Sequence, residues 1–178
     1  MTAPLRLEGR ARVFGDNINT DYIIASRRKR ESLDPQVLRQ YLFEETDPTF
    51  ASSVQPGDLI VAGKNFGCGS AMEVAATAVL GAGIRAVLAR SFARTYYRNA
   101  VNNGLIPITC DTRRIHEGDR LVIDSFQELA VRNLTTADTI EAEALPRIML
   151  EILEAGGLVS FFRKHGNFRL HDTTVTRR

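Results

Sequence analysis

The feature that most constrains this chain is an alternation between residues 59 and 109. Three short apolar runs, "LIVA", "IRAVLAR" and "LIPITC", are separated by two stretches with helical spacing. In the first stretch Val74, Ala75, Ala78, Val79 and Ala82 share one helical period, and Gly81 and Gly83 end it. In the second, "SFARTYYRNAVNNG", Ser91 reads as the cap and Gly104 as the stop. Apolar runs this short, bounded by turn residues, read as buried strands. Strand, helix, strand, helix, strand in that order implies βαβ units and a largely parallel sheet.

The flanks add a second layer. Leu7 to Phe14 alternates loosely and reads as a first strand. "GDNINTDYII" is rich in turn formers, with Asp16, Asn17 and Asn19 able to bond their own backbone. Arg27, Arg28, Lys29 and Arg30 form a basic run, for which a solvated loop is the plain reading. "DPQVLRQYLFEE" predicts a short helix with Asp34 as cap and Pro35 at its first position. Beyond residue 110, "DRLVIDSFQELAVRNL" suggests short antiparallel strands. "ALPRIMLEILEAGGLVSFFRKHG" predicts two helices parted by a Gly-Gly break, and "NFRLHDTTVTRR" a frayed tail. The expected architecture is one α/β domain over residues 1–178, with a core of about 7–165 and a tail of 166–178.

Composition narrows the function. With 178 residues, 44% of them apolar, the chain can bury one real core. A net charge of +2 does not mark a nucleic-acid binder. No run approaches the roughly 18 apolar residues a membrane span needs, and "MTAPLRLEGRARVFGDN" lacks the apolar core of a signal peptide, so no membrane association and a cytoplasmic location are expected. Cys68 and Cys110 are far apart and neither sits in a C-x-x-C pair. A disulfide framework is not expected, and the chain alone cannot supply the thiolates of an iron–sulfur cluster. No metal site is expected on it.

Gly67-Cys68-Gly69-Ser70 stands between a predicted strand and a predicted helix. Free amides at a helix start, with the helix dipole behind them, attract anions. A phosphate loop would need a Lys after the glycines, which is absent, and a dinucleotide fingerprint would need a third glycine where Met72 stands. A Cys68 nucleophile would want a histidine base, yet His116, His165 and His171 all lie in the C-terminal part. Two readings stay open from pattern alone: an anion cradle, or a tight turn with Ser70 as a simple N-cap.

"FGDNINTDYII", "PGDLIVAGKNFGCGS", "SFARTYYRNAVNNGL" and "EAGGLVSFF" occur in this order, and together they resemble the small subunits of 3-isopropylmalate dehydratase and of two-subunit homoaconitases. The resemblance runs from about Arg10 to Arg163 and extends to the swivelling domain of aconitase. It implies a swivelling β/β/α three-layer fold and a large-subunit partner carrying a [4Fe–4S] cluster. The implied reaction dehydrates and rehydrates a hydroxy di- or tricarboxylic acid. Ser70 matches the family's serine base, which needs N–H donors to stabilise its anion, and Gly69 belongs to the same carboxylate-receiving turn. Arg27 and Arg30 match the first and last positions of a substrate-reading Arg-Tyr-Leu-Arg loop. A terminal arginine there resembles the version that accepts a distal carboxylate. Thr20 and Asp21 match a Thr-Asp pair that borders the site.

The sequence departs from the family at one place. The usual Ser-Ser-Arg-Glu-His is Ser70-Ala71-Met72-Glu73-Val74 here. The missing arginine binds a substrate carboxylate in relatives, and one charged hydrogen bond is worth about 1.5–3 kcal/mol. Three explanations stand: Arg28 and Lys29 substitute for it, the substrate lacks that carboxylate, or the chain is a non-catalytic paralogue that acts as a binding module. Met72 reads as plain core or as an apolar wall for a substrate. Cys68 reads as turn packing, Tyr96 and Tyr97 as core and interface, and Arg94 and Arg98 as either props for the Ser70 loop or a solvated helix face.

Overall fold

The computed structural model describes residues 6–124 and 129–166. The expected frayed tail from residue 167 and the four residues 125–128 within the predicted antiparallel strands lie outside these. Seven strands form one sheet: β1 (Leu7–Val13), β2 (Leu59–Ala62), β3 (Ala86–Ala89), β4 (Ile106–Thr109), β5 (Arg120–Ile123), β6 (Ala130–Asn133) and β7 (Asp138–Glu141). Their spatial order is β4-β3-β2-β1-β5-β6-β7. The pairs from β1 to β4 are parallel, and those from β1 through β5 to β7 are antiparallel. The expected parallel sheet is therefore one half of a mixed sheet, and the expected β layer is the other half.

β1 joins the halves. Ala11, Arg12 and Val13 pair with β2, while Leu7 to Arg10 pair with β5. The βαβ reading of the middle of the chain is present in full, with a helix at each of its two crossovers.

Eight helices accompany the strands among the described residues: α1 (Thr20–Ile23), α2 (Arg28–Glu31), α3 (Pro35–Leu38), α4 (Phe50–Ser53), α5 (Val74–Gly81), α6 (Arg94–Asn103), α7 (Arg147–Glu154) and α8 (Leu158–His165). None is long and apolar enough to cross a membrane.

Period-two alternation sorts the parallel strands between two cores. Ile60, Ala62, Val87 and Ala89 face α5, Ile23, Leu38, Phe43 and Tyr96. Leu59, Val61, Leu88 and Ile108 share the second cluster with Leu121, Ile123, Val131 and Ile140 of the antiparallel strands, closed by Ile152, Leu153 and Phe161 of α7 and α8. Helices, parallel strands and antiparallel strands thus lie in succession, as the β/β/α expectation requires.

Two local expectations are corrected. The helix predicted from Pro35 to Glu45 stops at Leu38, with one 3-10 turn to Tyr41. Phe43 is left-handed, with φ 56°, so that its ring can stack on Phe14 at 4.2 Å and meet Phe50 edge-on at 4.7 Å. That backbone costs about 1–3 kcal/mol and is repaid in core burial. Ser91 does not cap α6. Ala93 occupies the cap position, and the Ser91 hydroxyl accepts the Asn65 amide at 2.8 Å. The expected cap at Asp34 is present and accepts the Gln36 amide at 2.8 Å.

Candidate active site

The loops that leave β1, β2 and β3 lie side by side at the carboxyl edge of the parallel strands. That is where open α/β sheets place their ligands. Backbone hydrogen bonds join them. Asn17 donates to Lys64 at 2.8 Å, Gly67 to Ile18 at 2.7 Å and Thr20 to Cys68 at 2.7 Å. On the other side, Phe66 donates to Ser91 at 3.0 Å and Ala93 to Phe66 at 2.9 Å. The loop after β2 is therefore stitched between its neighbours like a short extra strand.

Glycine is required at two points of it. Gly67 has φ 78°, and a Cβ there would lie 2.2 Å from Cγ of the fully buried Tyr96. Gly69 has φ 94°, and a Cβ there would lie 2.3 Å from Oδ1 of Asn19. That Asn19 oxygen caps α1 by accepting the Asp21 amide at 2.9 Å.

Ser70 follows, exposed to solvent. Its carbonyl accepts the Thr20 hydroxyl at 2.9 Å and the Met72 amide at 2.8 Å, while its own hydroxyl has no hydrogen-bond partner among the described residues. The glycine turn does not itself open the helix. Glu73 is the cap of α5, so the reading of Ser70 as a simple N-cap is overturned. The amides of Glu73 and Val74 donate to no group among the described residues, leaving unsatisfied donors one turn beyond the serine. Met72 is 3% exposed and packs in the first core with Val74, so of its two expected roles, core or substrate wall, the side chain takes the core.

The basic run is less open than its charge suggests. Glu44 takes Arg28 by two bonds, 3.0 Å from Nε and 2.7 Å from Nη2, and also accepts Arg27 at 2.8 Å. Glu45 accepts the other amino group of Arg27 at 2.6 Å, and Glu31 accepts Arg28 at 2.8 Å. The Arg28 guanidinium also lies 3.7 Å from the centre of the Tyr41 ring. Bonding from Arg28, and then the charges of both arginines, hold the Glu44 carboxyl below the usual carboxylate range. Lys29 and Arg30 are exposed and have no ion pair among the described residues.

One short helix connects the two loops. In α1, Thr20 bonds the Ser70 carbonyl and Asp21 accepts the Ser26 amide at 3.0 Å, at the root of the basic run. Sequence reasoning assigned Thr20, Asp21, Gly69, Ser70, Arg27 and Arg30; Gly69 and Ser70 fall on the glycine loop, Arg27 and Arg30 on the basic run, and Thr20 and Asp21 on the helix α1 between them. It missed Asn19 as the keystone against Gly69, although its place before Thr-Asp is a cap signal. It also missed Glu44 and Glu45, whose roles depend on the break at Phe43. Arg94 and Arg98 make no hydrogen bond or ion pair to the Ser70 loop among the described residues, although Tyr96 of the same helix packs on Gly67. They line a cleft of about 470 Å³ with Arg90, Tyr97 and Glu143, which adjoins one of about 620 Å³ lined by Lys64, Arg113, Asp111 and Glu141. Neither cleft includes Ser70.

Cys110 is buried, its thiol pushed up to about 12 by loss of solvent, and Cys68 is half-buried on the glycine loop. Among the described residues no three His, Cys, Asp or Glu side chains gather as a metal site would require.

Residues 16–113 match the family described as the aconitase C-terminal domain. The chain is 44% identical over 166 residues to 3-isopropylmalate dehydratase small subunit 2 of Archaeoglobus fulgidus, covering 93% of this chain and 100% of that one. It is 44% identical to the isopropylmalate/citramalate isomerase small subunit of Methanocaldococcus jannaschii, over 89% of this chain and 94% of the relative. The homoaconitase small subunit of the same organism is 45% identical, over 89% and 92%. A crystal structure of 3-isopropylmalate dehydratase from M. jannaschii superposes with a TM-score of 0.87 at 43% identity, covering 91% of this chain and 96% of that one. The chain therefore belongs to the aconitase C-terminal domain family and, within it, to the small subunits of isopropylmalate dehydratases and homoaconitases.

Proposed function

We propose that this chain works with a large subunit as a hydro-lyase/isomerase acting on a hydroxy di- or tricarboxylic acid of the isopropylmalate, homoaconitate or citraconate–malate type. Ser70 is the base that takes the proton from the carbon next to a carboxylate. Arg30 binds a distal carboxylate, with Arg27 behind it in the same loop. Gly69 and the free amides ahead of α5 receive the negative end of the ligand, and Thr20 and Asp21 order the two loops around it. The large subunit carries a [4Fe–4S] cluster, whose chemistry is Lewis-acid activation of the leaving hydroxyl. The protein works in the cytoplasm.

The observation that carries this reading is the double attachment of α1. An exposed serine with an unpaired hydroxyl and a loop with two unpaired cations hang from adjacent residues, Thr20 and Asp21. A serine is a poor base unless donors stabilise its anion, and exposed donors acquire their strength only when water is excluded. Ser70 is exposed and lines neither cleft, and a second chain seated over it would exclude that water. Relatives named for three different substrates match almost equally well, so global identity does not choose among them. The missing arginine at Met72 favours an acid with one carboxylate fewer at that end, or one held from the basic loop.

The test is co-expression with the large-subunit partner under anaerobic conditions. Absorbance of an unsaturated acid product is followed across a panel of hydroxy acids. Turnover by the wild-type complex that survives Ser70→Ala within a few-fold removes the serine from its role. The buried Met72 also supports a second reading, a binding module without chemistry. That reading expects a cluster-loaded complex that binds a hydroxy acid yet turns over none.

A further inference from the structure

The basic run is four cations long, yet three carboxylates from two segments meet it. Glu44 is central. Among the described residues it is the one carboxylate that bonds both arginines, and its contact with Arg28 is two-pronged, the geometry that gives a guanidinium a defined direction. The Arg28 and Glu44 side chains are each 21% exposed, so solvent screens this pair less than an open surface pair. The backbone places Glu44 deliberately. Phe43 is held left-handed with its ring in the Phe14–Phe50 stack, its amide donates to Ile23 at 3.0 Å, and its carbonyl accepts Thr46 and Asp47 at 2.9 and 2.8 Å. A side chain rooted beside such an anchor does not drift with the loop it grips.

We propose that Glu44 is a positioning residue for ligand selection. It ties Arg27 and Arg28 to the body of the chain, withdraws both from the ligand, and leaves Lys29 and Arg30 as the two cations of the run without an ion pair among the described residues, open to a distal carboxylate. Arg28 is then a strut rather than a replacement for the arginine missing at Met72. Three of its five N–H donors go to Glu44 and Glu31 and one face lies on Tyr41, so most of its bonding capacity is spent inside the chain.

The first arm of the test needs no partner. In the full chain alone, the Arg30 and Ser32 amides close the turn onto Arg27 and Arg28 at 3.1 Å each. With Glu44→Gln their hydrogen exchange speeds up about tenfold, while the Thr20 amide, which bonds Cys68 of the glycine loop, is unchanged and Glu44→Asp recovers part of the protection. Unchanged exchange at Arg30 and Ser32 in Glu44→Gln overturns the proposal. The second arm rests on the hydro-lyase reading and uses the cluster-loaded complex. Glu44→Gln raises KM for a substrate with a distal carboxylate about tenfold and leaves kcat within about twofold. Arg28→Met does the same, and the double variant adds nothing further. A fall in kcat at constant KM overturns the positioning role. A wild-type complex with no turnover on any hydroxy acid sinks the reaction assigned above, while the exchange arm still decides whether Glu44 grips the loop.

Discussion

The glycine loop and the basic loop flank the same short helix but are fastened by different chemistry. The glycine loop is held by main-chain bonds to both neighbours and by glycines pressed against Tyr96 and Asn19. The basic loop is held by ion pairs between side chains, with one backbone anchor at Ser26. Main-chain bonds do not depend on which side chains the loop carries, and salt screens them little. Ion pairs at a surface are modest, screened, and abolished by single substitutions. Under the proposed function this separates two tasks: the loop that would present Ser70 is held whatever the ligand, and the loop that would read the ligand can be changed without disturbing it.

The sharpest way to break that contrast is Ser70→Ala. In the complex, turnover should fall about 10²–10⁴-fold, the usual value of a positioned acid–base group. The denaturation midpoint of the chain should barely move, because the hydroxyl is exposed and unpaired. A large loss of stability would mean that the serine is structural.

Gly67→Ala tests the frame instead. The added methyl meets a buried ring at a left-handed position, so about 2–5 kcal/mol should be lost, read by urea unfolding. A neutral result would show that the loop yields, and the idea of a rigid presenter would go with it. Thr20→Val removes the bond from α1 to the Ser70 carbonyl and should cost about 1 kcal/mol, with a fall in kcat rather than a rise in KM.

The smallest effect separates the loops by solvent conditions. The Glu44 carboxyl titrates below its ordinary value of 4.5, so its contribution to folding is present above that pH and is lost as pH falls through the lower, folded value. Acidification below about 4.5, or salt near 1 M where screening reaches about 3 Å, should loosen Arg28–Ser32 before residues 64–70. Site-resolved amide exchange reads both, and simultaneous loosening would erase the distinction.

Much of this was legible in the sequence. The βαβ core follows from the alternation of short apolar runs with helical spacing, and it appears with its strands where the pattern puts them. The helix ends around Gly81–Gly83 and at Gly104 were legible because left-handed glycines, Gly83 and Gly104, stop each helix. The glycine loop was legible as a loop through Gly67 and Gly69, whereas the turn-rich stretch at Thr20 and the basic run each form a single helical turn, α1 and α2, that the pattern did not announce. What sequence could not carry was direction. Nothing in "SAMEV" says that Met72 turns into the core, since methionine suits either side. The helix predicted through Phe43 was good local pattern, broken by a core that needed that ring elsewhere. With the break unseen, the destination of Glu44 was unseen too, and the basic run read as four free charges.

The strand shared by both halves of the sheet has a consequence for how the protein is made. Glu8 in β1 and Arg120 in β5 are in contact across 112 residues of chain. At roughly 5–20 residues per second of synthesis, β1 emerges several seconds before its antiparallel partner exists. Through that interval its parallel border can be covered by β2, but the other lies bare, a template for stray pairing. Newly made chains should therefore lean on holdase chaperones until the second half of the sheet arrives.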